Sequence, residues 1–212
     1  MNGELYTAFL IAAIGLTLMP GPDNLFVLSE SILRGSKRGV SLSAGLASGV
    51  LIHTSLAASG LALVMQSQEM VYNGLLTAGA LYLLYLAYGT FKEAAPQLKL
   101  SKKTDPQHEI GFWASFGKGF LINVLNPKVT LFFLALLPQF VDANLEWTPW
   151  QQMFTMGFSF MIQAFLIFSL IALISGRIAG YLSSPSFQNF SRWFQISILS
   201  LLAVGLLISA WL

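Results

Sequence analysis

The sequence predicts an all-α integral membrane protein of six transmembrane helices, built as two inverted three-helix repeats with helices 1 and 4 broken at proline motifs. Three observations predict it. Charged residues are 9% of the 212 and AVILMFWYC residues are 55%; an average soluble domain is roughly 25% charged, so a soluble fold of this composition could not cover its surface. The apolar residues fall into six runs, each long enough to span a bilayer with some tilt. The basic residues gather in alternate loops between those runs.

The same composition, with 13% aromatics and a mean hydropathy of +0.69, excludes a disordered or collagen-like chain. A net charge of +2 calls for no acidic partner, and a nucleic-acid binder is excluded with it. There is no cysteine, which excludes disulfides, thiolate metal sites, Fe–S clusters and thiol nucleophiles.

The first run extends from Leu5 to about Leu33 and is interrupted at Pro20-Gly21-Pro22. Met1-Asn2-Gly3-Glu4 lacks the positive segment of a signal peptide, so this run is read as a span. Further runs cover about 41–65, 71–91, 112–141, 151–175 and 190–211, the fourth interrupted at Asn126-Pro127. Arg34, Lys37 and Arg38 follow span 1; Lys92, Lys99, Lys102 and Lys103 follow span 3; Arg177 and Arg192 flank the loop after span 5. The other loops hold Glu69, Asp142 and Glu146 and no Lys or Arg. The basic loops are therefore expected in the cytoplasm and both termini outside it. The charged, proline-containing stretch 94–108 reads as a cytoplasmic linker between repeats at 1–93 and 109–212.

A shift of 105 residues supports the repeat: Glu4-Leu5 falls on Glu109-Ile110, and Gly21-Pro22-Asp23 on Asn126-Pro127-Lys128. Three spans per repeat force opposite insertion. Proline removes a backbone donor, and a freed carbonyl in hydrocarbon is costly unless something satisfies it. Paired broken helices in inverted repeats point to a midplane binding site. The half-helices that restart at Pro22 and Pro127 offer free N–H groups suited to a carboxylate.

These residues resemble a known family. Met19-Pro20-Gly21-Pro22-Asp23-Asn24 with Leu33-Arg34-Gly35 looks like the signature of the LysE/RhtB family of bacterial amino-acid exporters. Leu125-Asn126-Pro127-Lys128, followed by Phe132-Phe133-Leu134 and Leu137-Pro138-Gln139-Phe140, looks like its second signature, and 79–86 resembles its third span. The resemblance covers essentially the whole chain. It implies a six-helix permease of the bacterial inner membrane that exports amino acids or close derivatives, driven by the proton-motive force. Ala87 stands where the family's third span commonly has glycine, a departure that touches packing.

Asp23 and Lys128 lie inside apolar runs, where each charge costs ~3 kcal/mol on insertion scales. They occupy equivalent positions of the repeats, so they are expected to meet near the midplane. Two readings are open: a site for a zwitterion, with Lys128 on the carboxylate and Asp23 on the ammonium, or a permanent salt bridge that orients the helices. The substrate-binding set is then Gly21, Pro22, Asp23, Asn24, Asn126, Pro127 and Lys128. Asn24, Asn123 and Asn126 individually read as caps or carbonyl partners. Glu30 stands four residues before Arg34, the spacing of a helical ion pair, with a proton relay as the sharper reading. His53, mid-span 2, can carry a proton or hydrogen-bond across helices, with Gln163 as its rough counterpart in the second half. His108 is assigned nothing. Gly45 with Gly49, and Gly176 with Gly180, read as close-packing faces. Trp147, Trp150, Trp193 and Trp211, with Tyr6 and Tyr72, read as interface anchors.

No GxxxxGK[ST], HExxH or GxSxG is present, so no catalytic residue, metal site or cofactor is expected. The expected partners are an amino acid, protons and the lipid bilayer. The single obvious core acid favours neutral or hydroxylated amino acids over cationic ones. The rival readings are a small-ion or metal permease of similar architecture and a non-transport bundle or intramembrane enzyme. The sequence sets no oligomeric state.

Overall fold

The structure, a computed structural model, describes residues 2–19, 21–64, 69–92, 111–182 and 184–211, and all regular structure among them is helical. Pro20, the expected linker 94–108 with its lysines and His108, and the side chains of Pro22 and Tyr72 lie outside the described residues.

Helix α1 (Gly3–Leu18) starts on Asn2, whose side-chain oxygen accepts from the Glu4 and Leu5 amides, an N-cap that satisfies two orphan donors. Helix α2 (Pro22–Arg34) begins with proline at its first turn and ends at Gly35. Gly35 has φ +89°, a left-handed conformation that a side chain resists, and it lets the chain reverse directly into α3 (Ser36–Val64). Helix α4 (Glu69–Lys92) completes the first half. The second half starts with α5 (Phe112–Val124) and, after Leu125-Asn126, α6 (Pro127–Leu131). A π-helical turn (Phe132–Leu136) and a 3₁₀ turn (Leu137–Phe140) follow. Helices α7 (Pro149–Leu182) and α8 (Pro185–Trp211) end the chain.

The segments Gly3–Leu18 and Asp23–Arg34 are bent by 51°, and Phe112–Val124 and Pro127–Phe140 by 52°. Among the described residues, stretches of α3, α7 and α8 are each long and apolar enough to cross a membrane; counting each bent pair as one span raises the number to five. The π and 3₁₀ turns were not expected. Phe132, Phe133, Ala135, Leu136 and Leu137 are all buried, more consecutive inward positions than one α-helical stripe provides. Pro138, which has no N–H, then stands in the tighter turn that ends the segment.

Helix α3 is central. It packs on α5, α7 and α2; α7 also packs on α1 and α2, and α4 packs on α8. Glycine sets the closest approach. A Cβ added at Gly45 would overlap the Phe116 carbonyl, and one at Gly119 the Leu42 carbonyl, so α3 and α5 cross backbone to backbone. Gly49 faces the Asn123 side chain, and Gly157 of α7 faces Thr54 of α3. In lipid, such small-residue contacts are a main source of helix association. Gly176 and Gly180 have open space around them, so the second expected packing face packs against nothing among the described residues.

Buried rings fill the middle: Phe9, Phe132, Phe133 and Phe160 form a connected cluster. The outside is apolar too. Leu166, Leu170 and Leu173 of α7, Leu201 of α8 and Tyr85 of α4 are all exposed. Such a face suits hydrocarbon, and the chain is a multi-pass membrane protein. Trp147, Trp150, Trp193 and Trp211 are exposed near helix ends, whereas Tyr6 turns inward, its hydroxyl 2.6 Å from Ser159 Oγ. Arg192 of α8 closes the end of α4, donating to the Thr90 and Phe91 carbonyls. Across the molecule, Asn2 donates to Asp142 at 3.2 Å, and the Asn144 amide donates to the same carboxylate. These donors hold Asp142 below the usual carboxylate range.

Candidate functional site

The two helix interruptions lie against each other, and the backbone groups that proline leaves unpaired explain how. In an unbroken α-helix, the Asn123 carbonyl would accept from the amide of residue 127, but Pro127 has none. The Asn126 amide, at 2.8 Å, and His53 of α3, its Nε2 3.0 Å from Asn123 O, take that place. A carbonyl only accepts, so Nε2 carries the hydrogen. The Leu16 carbonyl would likewise have used the amide of residue 20, also a proline. Lys128 Nζ donates to it at 3.3 Å. Asn24 Nδ2 donates to the Thr17 and Met19 carbonyls at 3.1 and 2.8 Å. Each break is thus closed by side chains, as buried backbone in hydrocarbon requires.

Asn126 joins the two. Its Oδ1 caps α6 by accepting from the Lys128 amide at 3.0 Å, and its Nδ2 donates to Asp23 Oδ2 at 2.7 Å. Asp23 and Lys128 are 3% and 9% exposed, and both border one cleft with Leu16, Thr17, Asn123 and Val129. They do not form the expected ion pair: among the described residues, the ion pairs are those of Glu30. Asn126 holds one Asp23 oxygen and the Leu16 carbonyl holds the ammonium, so the acid and the ammonium share a cleft without pairing.

Two oxygens there, Asp23 Oδ1 and Asn123 Oδ1, are buried without a partner among the described residues, as are Asn24 Oδ1 and Gln163 Oε1 outside the lining, and a native fold rarely leaves such acceptors idle. Among the described residues, the Lys128 ammonium, with three N–H donors, makes one hydrogen bond. The cleft therefore combines bare acceptors with spare cationic donors. Its free space admits about one water molecule.

Of the expected site residues, Asp23, Asn126 and Lys128 come together here. Gly21 approaches them: a Cβ there would lie 3.4 Å from Lys128 Nζ. Pro22 and Pro127 open α2 and α6. Asn24 serves the Thr17 and Met19 carbonyls while its Oδ1 stays unpaired. Thr17 and Asn123 line the cleft and stood outside the expected set. The signal for Asn123 was positional, since it lies four residues before Pro127. Gln163 hydrogen-bonds across helices, donating to Thr17 Oγ1 of α1 at 2.9 Å.

Glu30 is 6% exposed. It pairs with Arg34 at 3.4 Å, as the spacing suggested, and with Lys118 of α5 at 3.2 Å, a partner 88 positions away. Lys118 also lies over the Phe26 ring. Among the described residues no group of three His, Cys, Asp or Glu converges as a metal site would need.

The sequence was compared with known proteins. The family model described as LysE type translocator matches residues 14–210. An uncharacterized membrane protein of Pseudomonas aeruginosa is 31% identical over 193 residues, covering 90% of this chain and 82% of its own. A Vibrio cholerae membrane protein, also uncharacterized, is 27% identical and 89% of each chain is covered. The leucine efflux protein of Salmonella typhimurium is 29% identical over 179 residues, 84% of this chain and 82% of its own. No solved structure matches.

Proposed function

The chain belongs to the LysE type translocator family, and from that premise we propose that it exports amino acids from the cytoplasm as a proton-driven secondary transporter, binding them between its two broken helices. It is a transporter and not an enzyme. The carrying observation is the cleft itself: the unpaired Asp23 Oδ1 and the underused Lys128 ammonium border one buried space. An α-amino acid brings the complementary pair, an ammonium for Asp23 with Asn123 and a carboxylate for Lys128. Gly21, Pro22, Asn24, Asn126 and Pro127 shape the two breaks around it. That a Salmonella relative is named a leucine efflux protein supports the substrate class.

In this reading α1–α2, α3 and α4 are three spans, and α5–α6, α7 and α8 are their inverted counterparts, with residues 94–108 as the cytoplasmic linker. The packing supports it. The second helix of each half lies against the broken helix of the other, α3 on α5 and α7 on α1 and α2, while α4 pairs with α8. The protein then sits in the bacterial inner membrane with both termini outside, following its basic loops. His53 is the proton carrier: its Nδ1 is buried and unpaired, and its other nitrogen is fixed on Asn123. Glu30, already held by two cations, is a lesser candidate for that relay.

The test is transport by the purified protein in liposomes with an imposed pH gradient and a panel of labelled amino acids. Gradient-dependent movement of neutral amino acids is expected. Absence of movement for every amino acid would remove the reading.

A further inference from the structure

We propose that one face of α7, Phe160–Ala164–Phe168, selects the substrate's side chain and that it selects an apolar one. This rests on the amino-acid export reading above. All three residues line the cleft that Asp23 and Lys128 border. They are spaced by four along α7, so they share one helix face. Phe160 is a fixed wall, its ring 5.7 and 5.1 Å from those of Phe132 and Phe133. Ala164, 1% exposed, places only a methyl group between the two phenylalanines. It is the narrow residue in an otherwise bulky row and sets how deep a side chain reaches.

The opposite lining is Leu16, Val50 and Val129. The hydroxyl nearest this wall is Thr17, and it is already committed: it donates to Ala13 O at 2.9 Å and accepts from Gln163 at 2.9 Å. The unpaired acceptors that line the cleft, Asp23 Oδ1 and Asn123 Oδ1, are taken by the substrate's ammonium in this reading, so a hydroxylated side chain would lose its water hydrogen bonds there and find little in return. The preference thus narrows from neutral or hydroxylated amino acids to apolar ones, and it comes from the lining residues alone.

The experiment measures export of alanine, valine, threonine, leucine and phenylalanine in liposomes by the wild-type protein and by Ala164→Leu and Phe168→Leu. Valine and threonine are near isosteres, and wild type should prefer valine by roughly tenfold or more, since an apolar pocket discriminates against a hydroxyl by up to about 10². Ala164→Leu fills the gap, so the leucine-to-alanine ratio should fall about tenfold with alanine export retained. Phe168→Leu opens the wall and should raise the phenylalanine-to-leucine ratio. Equal or better export of threonine than valine overturns the apolar class. Unchanged ratios in both variants overturn the role of this face while leaving amino-acid export standing. If wild type moves none of the five, the wall proposal fails; the full labelled panel then shows whether amino-acid export fails with it.

Discussion

Asn126 Nδ2 donates to Asp23 Oδ2 at 2.7 Å, so the residue that caps the second half-helix also holds the acid of the first. One asparagine couples the geometry of the two breaks. It also leaves Asp23 with a single free oxygen, fixed in direction, instead of a salt bridge to Lys128.

That arrangement gives different outcomes for the two charges. Asp23→Asn preserves shape and an oxygen for Asn126, so the protein should fold normally. It loses a charge-assisted bond to substrate, worth about 1.5–3 kcal/mol, and export should fall about 10- to 100-fold. Lys128→Met strips the Leu16 carbonyl of its donor and should lower stability by about 1–3 kcal/mol as well as abolish export. Thermal unfolding in detergent and transport in liposomes separate the two effects. The double variant should stay inactive; recovered transport there would reduce both residues to structural roles.

His53 has two separable duties. His53→Gln still donates to Asn123 O and should fold, while His53→Leu leaves that carbonyl only the Asn126 amide and should cost on the order of 1 kcal/mol. If Nδ1 carries the coupled proton, His53→Gln should export down a substrate gradient and ignore a pH gradient. A wild-type response to pH would leave His53 only its carbonyl.

For Glu30 the ion pairs predict a mild effect. Arg34 and Lys118 are 30% and 46% exposed, so the loss on Glu30→Gln should be on the order of 1 kcal/mol and shrink with added salt. Export driven by a pH gradient should persist within about fivefold on that scale. Its complete loss would assign Glu30 to the proton path.

The glycines offer a contrast within one experiment. Gly119→Ala drives a methyl into the Leu42 carbonyl and should cost about 1–3 kcal/mol. Gly176→Ala and Gly180→Ala meet open space and should be neutral or slightly stabilising. The yield of folded, monodisperse protein and its melting temperature report the difference.

Orientation is tested by reporters. A fusion after Leu212 should be active only with a reporter that works outside the cytoplasm, and one within 94–108 only with a reporter that works inside. The reverse pattern at both sites would invert the proposed topology.

Much of this was legible in the residues. The apolar runs and breaks needed only hydropathy and proline chemistry, and Asp23 and Lys128 stood out because charge is expensive in lipid. The proposed repeat suggested that they meet and could not foresee Asn126 intervening, because a shift compares positions and carries no distances. The Glu30–Lys118 pair was hidden for a similar reason: the two stand 88 positions apart, and nothing local linked Lys118 to α2. Gly45 was visible as half of a spaced pair, whereas Gly119, its counterpart across the crossing, has no mark in the sequence of α5. Asn123 could have been found by counting back four residues from Pro127 and asking who satisfies that carbonyl.

The interlocked glycines of α3 and α5 bear on how the molecule is made. Gly45 is synthesised long before Gly119, and the nearest neighbours of α3 and α4 lie largely in the later half. The early helices therefore enter the bilayer with their notched faces against lipid and wait there. Neither half owns a complete interior, so the protein acquires its final form only when the ribosome has delivered the second set of helices. Two separately expressed halves should each be fragile and quickly degraded, yet reconstitute when made together.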